Sequence, residues 1–152
     1  MIRGRRHSVS HLARRDPRLD GVQTVLVVDD EFGVAEVLDA ILTDEGFRVV
    51  TATNGRQALD RIAEQRPDLV LLDYMMPILD GVGVLHALAA DPSAIGLPIV
   101  VMSALPEEAI SVATRHYQAF LRKPFRIKSV LAAIATAMPP HANGHDPGPD
   151  DA

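Results

Sequence analysis

The sequence predicts an α/β protein: a doubly wound parallel sheet of five strands with helices on both faces. Three observations predict it. Short, almost wholly apolar runs recur along the chain, and runs of that kind suit strands buried on both faces. Between them lie stretches whose apolar residues recur at helical spacing. The joints are short and rich in glycine, proline, asparagine and aspartate, so strands and helices alternate without room for a second domain. Right-handed crossovers between such strands put helices on both faces of the sheet.

The first strand is Thr24-Val25-Leu26-Val27-Val28, apolar and β-branched. The helix after it carries Phe32, Val34, Ala35, Val37, Leu38, Ile41 and Leu42 as an apolar stripe. An acidic residue in its first turn suits the helix dipole, and Gly46 ends it as a left-handed cap. Phe47–Ala52 is the second strand. Asn54-Gly55 is a turn, and Asn54 can cap a helix bearing Ala58, Leu59, Ile62 and Ala63, which Pro67 closes. The third strand runs from Asp68 to Asp73, and Asp80-Gly81 leads into a helix with Val84, Leu85, Ala87 and Leu88 that ends at Asp91-Pro92. Pro98–Met102 is the fourth strand, ending on Ser103. Pro106 opens a helix expected to run through Glu107, Ala109, Ile110, Val112 and Ala113. Ala119–Arg122 is a short fifth strand before Lys123-Pro124, and the last helix carries Ile127, Val130, Leu131, Ile134 and Ala135.

The organisation expected is one domain over residues 22–138. A basic N-terminal extension, 1–21, holds Arg3, Arg5, Arg6, Arg14, Arg15 and Arg18 but too little apolar surface to fold. Residues 139–152 read as a disordered tail in which His141 and His145 are solvent-facing filler. The chain has 152 residues, a hydrophobic fraction of 47% and a net charge of −5, which suit a soluble domain and do not suit a nucleic-acid surface. It has no cysteine, which removes disulfides, thiolate metal sites and a cysteine nucleophile. No apolar run approaches the ~18 residues that a membrane span needs. A cytoplasmic protein without a membrane partner is expected.

The polar residues at the strand ends carry the chemistry. Asp29 and Asp30 follow the first strand, Asp73 ends the third, Ser103 the fourth, and Lys123 follows the fifth. The carboxyl ends of parallel strands share one edge, where ligands of open α/β sheets bind. Two unit charges ~4 Å apart at an effective dielectric near 20 repel by roughly 4 kcal/mol, so three carboxylates there call for a cation. With oxygen ligands only, and neither cysteine nor histidine close by, the hard ion Mg²⁺ fits. Lys123 adds a positive charge and Ser103 a hydrogen-bond donor, which together make a pocket for a phosphoryl group. Asp73 is the expected nucleophile, forming an acyl phosphate.

These motifs give the sequence its resemblance. Val25-Leu26-Val27-Val28-Asp29-Asp30-Glu31, Leu71-Leu72-Asp73-Tyr74-Met75-Met76-Pro77 with Asp80-Gly81, Met102-Ser103-Ala104, and Phe120-Leu121-Arg122-Lys123-Pro124-Phe125 resemble the receiver domain of two-component response regulators. The resemblance covers about Val22 to Met138 and implies the flavodoxin-like strand order. It implies that Asp73 accepts phosphate from a histidine kinase or a histidine phosphotransfer protein. It further implies Mg²⁺ held by Asp30, Asp73 and the backbone carbonyl of Met75, with Asp29 acting mostly through water. Lys123 would touch the phosphoryl oxygen, and its bond to Pro124 is cis in such domains. Ser103 and Phe120 would form the switch, changing the face made by the fourth helix, fifth strand and fifth helix, where a downstream protein would bind.

Two features depart from common patterns of that family. His116-Tyr117 stands where many members have a glycine or alanine pair, and Met75 and Leu105 place apolar groups beside the pocket, where they are expected to change the lifetime of the phosphorylated state. No DNA-binding unit follows Met138, so a receiver without its own output domain is expected. The main alternative is a Mg²⁺-dependent phosphatase acting through an aspartyl phosphate. The haloacid-dehalogenase type wants a second aspartate two residues after the nucleophile, where Met75 stands. A nucleotide- or flavin-binding domain lacks its glycine-rich loop after the first strand. DNA binding through the N-terminal arm is the remaining alternative.

Overall fold

The structure, a computed structural model, describes residues 21–138. Nearly all of the basic extension and the whole of the expected tail, with His141 and His145, lie outside the described residues.

The elements alternate as expected: β1 (Thr24–Val28), α1 (Phe32–Asp44), β2 (Arg48–Ala52), α2 (Gly55–Glu64), β3 (Leu69–Asp73), α3 (Gly81–Ala89), a 3₁₀ turn (Pro92–Ala94), β4 (Ile99–Ser103), α4 (Glu107–Ser111), β5 (Ala119–Arg122) and α5 (Ile127–Ala137). All strand pairs are parallel, in the order β2-β1-β3-β4-β5. Alternation along β1 divides the core into two layers. Val25 and Val27 pack with Leu38 and Leu42 of α1 and with Val130, Ala133 and Ile134 of α5. Leu26 and Val28 pack on the other face with Ala58 and Ile62 of α2, Val84 and Leu88 of α3, and Ile110 of α4.

Local sequence explains the helix ends. Asn54 Oδ1 accepts the Gln57 N–H at 2.8 Å and Asp80 Oδ1 the Gly83 N–H at 2.9 Å, caps worth about 1 kcal/mol each. Gly46, at φ +93°, closes α1, with its N–H on the Thr43 carbonyl and that of Phe47 on Leu42. No helix among the described residues is long and apolar enough to cross a membrane.

Four expectations need correction. Glu31 is the N-cap of α1 without a side-chain cap bond, and the first turn of α1 holds no acidic residue. The apolar stripe of α1 is wider than the face it buries: Phe32 is 81% exposed, because the helix begins beyond the end of β1 where no sheet remains to cover it. Only β1, β3 and β4 are buried along their whole length, since β2 and β5 are sheet edges. Finally, α4 stops at Ser111. Ala113 and Thr114 both send their N–H to the Ile110 carbonyl, and Thr114 Oγ1 then accepts the His116 N–H, which turns the chain away and leaves Val112 exposed.

Backbone closeness fixes the loop after β3. The Gly55 N–H donates to the Leu79 carbonyl at 3.0 Å, and a Cβ on Gly55 would strike that carbonyl and lie 2.6 Å from Val84 Cγ2. A Cβ on Gly33, in α1, would meet nothing within 4 Å. Gly55→Ala is therefore expected to lower unfolding free energy by about 1–3 kcal/mol through overpacking, whereas Gly33→Ala raises it by up to ~1 kcal/mol. Urea denaturation of the two variants checks both signs.

Candidate functional site

The chain leaves β1 for the β2 side and returns on the other side as β3, so the strand order reverses between β1 and β3. That switch point opens a crevice at their carboxyl ends. Asp29 and Asp30 follow β1 into it and Asp73 is the last residue of β3, while the register sets Val28 beside Leu72. One carboxylate oxygen from each of Asp29, Asp30 and Asp73 lies within 4.8 Å of the others. Asp29 and Asp73 are buried and Asp30 is exposed, which leaves the cluster open on one side.

The positions read from sequence meet here. Lys123, at the end of β5, places Nζ 2.7 Å from Asp29 Oδ2 and 3.5 Å from Asp73 Oδ1. The Lys123–Pro124 peptide is cis. Ser103 ends β4 and is buried, and its Oγ accepts the Leu105 N–H at 3.0 Å. The Met75 N–H points to Asp73 Oδ1 at 3.4 Å, and the Met75 side chain stands outside, 66% exposed. Leu105 is also exposed at the rim. Phe120 stands apart on β5, half-buried against the α2–α3–α4 layer.

Electrostatics agree with a site made for a positive guest. Burial, then the charge of Asp29, pushes the Asp73 carboxyl up to about 7, against the pull of Lys123 and the Met75 N–H. Burial pulls the Lys123 ammonium down, but the hydrogen bond to Asp29 and the charges of Asp73, Asp29 and Glu31 outweigh it, so its net shift is upward. Lys123 thus answers Asp29 and Asp73, and Asp30 completes the cluster on its open side. Oxygen-only donors, one of them open to solvent, fit a hard divalent cation that keeps waters in its shell.

Sequence reasoning missed two contacts. It assigned Lys123 to an incoming phosphoryl oxygen, whereas its short contact is with Asp29; nothing in the sequence ranks the two carboxylates. It also gave Arg122 no role. Arg122 Nε donates to the Ala104 carbonyl at 2.9 Å, fastening the loop after β4 to β5. Beside that tie, β5 and α5 line a groove of about 650 Å³ with Phe120, Arg122 and Arg126, and Glu107 of α4 at its edge.

Comparison with known proteins agrees with this geometry. The DNA-binding response regulator MtrA of Mycolicibacterium paratuberculosis is 40% identical over 114 residues, which are 74% of this chain and 49% of MtrA. This chain spans about half the length of the curated relatives it matches. The Vibrio cholerae chemotaxis protein CheY4 superposes with a TM-score of 0.69 at 26% identity, covering 76% of this chain and 98% of the other. The receiver domain of a sensor histidine kinase from Pseudomonas aeruginosa gives 0.70 at 26% identity, covering 77% and 98%, and holds a magnesium ion coordinated in its active-site cleft. The response regulator receiver domain family matches residues 25–135. By sequence and by fold the chain belongs to that family, the phosphoacceptor domains of two-component signalling.

Proposed function

We propose that Asp73 is the phosphoacceptor, taking a phosphoryl group from a histidine kinase or a histidine phosphotransfer protein in the cytoplasm. The observation that carries this reading is the convergence of Asp29, Asp30 and Asp73 within 4.8 Å, with Lys123 bridging two of them. A carboxylate oxygen of Asp73 attacks phosphorus, the bond to the donor imidazole breaks, and the imidazole nitrogen leaves with that electron pair. Mg²⁺, bound by Asp30, Asp73 and the Met75 carbonyl with Asp29 acting through water, would neutralise charge on the equatorial phosphoryl oxygens. Lys123 meets the same oxygens from the other side. Ser103 uses a lone pair on the Leu105 N–H, which keeps its hydroxyl proton available to the phosphoryl group.

The switch follows from what Ser103 holds. When its hydroxyl turns to the phosphoryl group it draws the Leu105 amide with it, and the neighbouring Ala104 carbonyl carries the pull to Arg122 on β5. Phe120 sits two residues earlier on the same strand and turns inward as the loop moves. The face built from α4, β5 and α5 then presents a changed surface to a downstream protein, and its groove is where that partner docks. The match to CheY4 over 98% of its chain supports the receiver fold on which this reading rests.

Incubation with acetyl phosphate and Mg²⁺ is expected to add one phosphoryl mass to the chain, and Asp73→Asn to abolish the adduct. An undiminished adduct in that variant would overturn the assignment. Mg²⁺ is expected to raise Tm, because it relieves repulsion in the carboxylate cluster, and Asp30→Asn to reduce that rise by half or more. Equal stabilisation of both proteins would remove Asp30 from the ligand set. Exchanging Met75 and Leu105 together for asparagine is expected to change the dephosphorylation rate severalfold, followed by decay of the mass adduct; an unchanged rate would separate those side chains from water access.

A further inference from the structure

We propose that His86 and His116 form a two-imidazole site for a borderline transition-metal cation, typified by Zn²⁺, which ties the last turn of α3 to the loop entering β5. The rings come from different elements and meet edge to face, with centroids 6.4 Å apart and planes at 79°. Both residues are exposed, so a cation reaches them without opening the core, and water can complete the coordination. With Zn–N bonds of ~2.0–2.1 Å in tetrahedral geometry, two ring centroids sharing one ion lie about 5 Å apart. Binding would therefore draw the rings together by a little over an ångström, which their exposed side chains are free to supply by rotation.

The surroundings favour the pair as ligands. His116 rides on a stretch pinned at both ends. Its own N–H is held by Oγ1 of the buried Thr114 at 3.2 Å. Two residues on, Gln118 bonds Ile99 twice, N–H to carbonyl at 2.9 Å and Oε1 from N–H at 2.7 Å. Such a fixed loop gives up little entropy when its imidazole is captured. His86 lies in the last turn of α3, where the helix dipole favours positive charge. Ligand chemistry keeps this site distinct from the acidic cluster. Imidazole nitrogen suits Zn²⁺, Cu²⁺ or Ni²⁺ and has little affinity for Mg²⁺, which prefers carboxylate oxygen. The site also accounts for His116, a departure from the family's usual small residues that the phosphoacceptor chemistry leaves unused. An ion there would fasten α3 to the segment between α4 and β5, and so brace that segment against movement.

The test uses the full chain with ¹⁵N-labelled histidine, in Mg²⁺ excess to fill the carboxylate cluster, titrated with ZnCl₂. The first equivalent is expected to shift the ring nitrogens of His86 and His116 together and to slow amide exchange over residues 112–118. His86→Asn and His116→Asn are each expected to weaken that first binding event at least tenfold, with the circular dichroism spectrum unchanged. The proposal is overturned if Zn²⁺ goes first to His7, His11, His141 or His145 while the His86 and His116 rings stay unshifted. It is overturned equally if either substitution leaves the affinity unaltered.

Discussion

Two buried carboxylates held against the Lys123 ammonium, with a third on their open side, form the constraint on which the rest of this molecule depends. Asp29 and Asp73 are both buried, so their repulsion is not screened as it would be on a surface, and the Asp73 carboxyl responds by rising to about 7. Left alone, the chain would relieve the strain by swinging one aspartate into water. It cannot, because each aspartate is the continuation of a strand sealed on both faces. Every residue of β1 and β3 is buried. Full burial of a Val or Leu side chain contributes roughly 1.5–3 kcal/mol, so two or three of these residues outweigh a carboxylate repulsion of about 4 kcal/mol. The apolar sheet is thus the clamp that keeps an unfavourable arrangement of charge in place.

The same clamp supports the proposed action of the site on a distant face. Asp73 and Ser103 end neighbouring strands, and Ser103 sits beside Arg122 in the β4–β5 register. The strands themselves have no freedom to move. What can move is the loop after β4, which touches the site through the Ser103 hydroxyl and touches β5 through Arg122. Rigid strands joined by a loop with two polar tethers would convert a small displacement at the acid cluster into a change at the sheet edge, as the proposed switch requires. The shortness of α4 contributes, since a five-residue helix with one buried side chain resists little.

Most of the fold was legible because its signals are local and agree with one another. The runs at Thr24–Val28 and Leu69–Asp73, the caps at Asn54 and Asp80 and the stop at Gly46 each fix one element from neighbours in sequence. The parallel sheet then brings Asp29, Asp30, Asp73, Ser103 and Lys123 to one edge by topology alone. What sequence could not give depends on choices between equals. Phe32 and Leu38 lie on the same apolar stripe, and only the position of the sheet decides that one is exposed and the other buried. The end of α4 depended on hydrogen bonds from Ala113 and Thr114 that composition does not announce. The meeting of His86 with His116 joins a helix to a loop through tertiary folding, invisible to any pattern along the chain.

The divided attachment of Lys123 makes the cluster responsive and more than merely crowded. The ammonium lies 2.7 Å from Asp29 and 3.5 Å from Asp73, so its stronger bond is not with the proposed phosphoacceptor. An acyl phosphate on Asp73 would carry about −1.5 to −2 of charge at neutral pH, in place of at most −1 on the carboxylate, and would present three acceptor oxygens. It would offer that ammonium a denser negative partner on the carboxylate that Lys123 already faces at 3.5 Å. Asp29 would then lose part of its hold on Lys123, and the cluster would come to depend more heavily on a divalent ion. Charge arithmetic of this kind would make the ion and the phosphoryl group mutually reinforcing guests: the ion relieves the repulsion that the phosphoryl oxygens add, and those oxygens strengthen the hold on the ion.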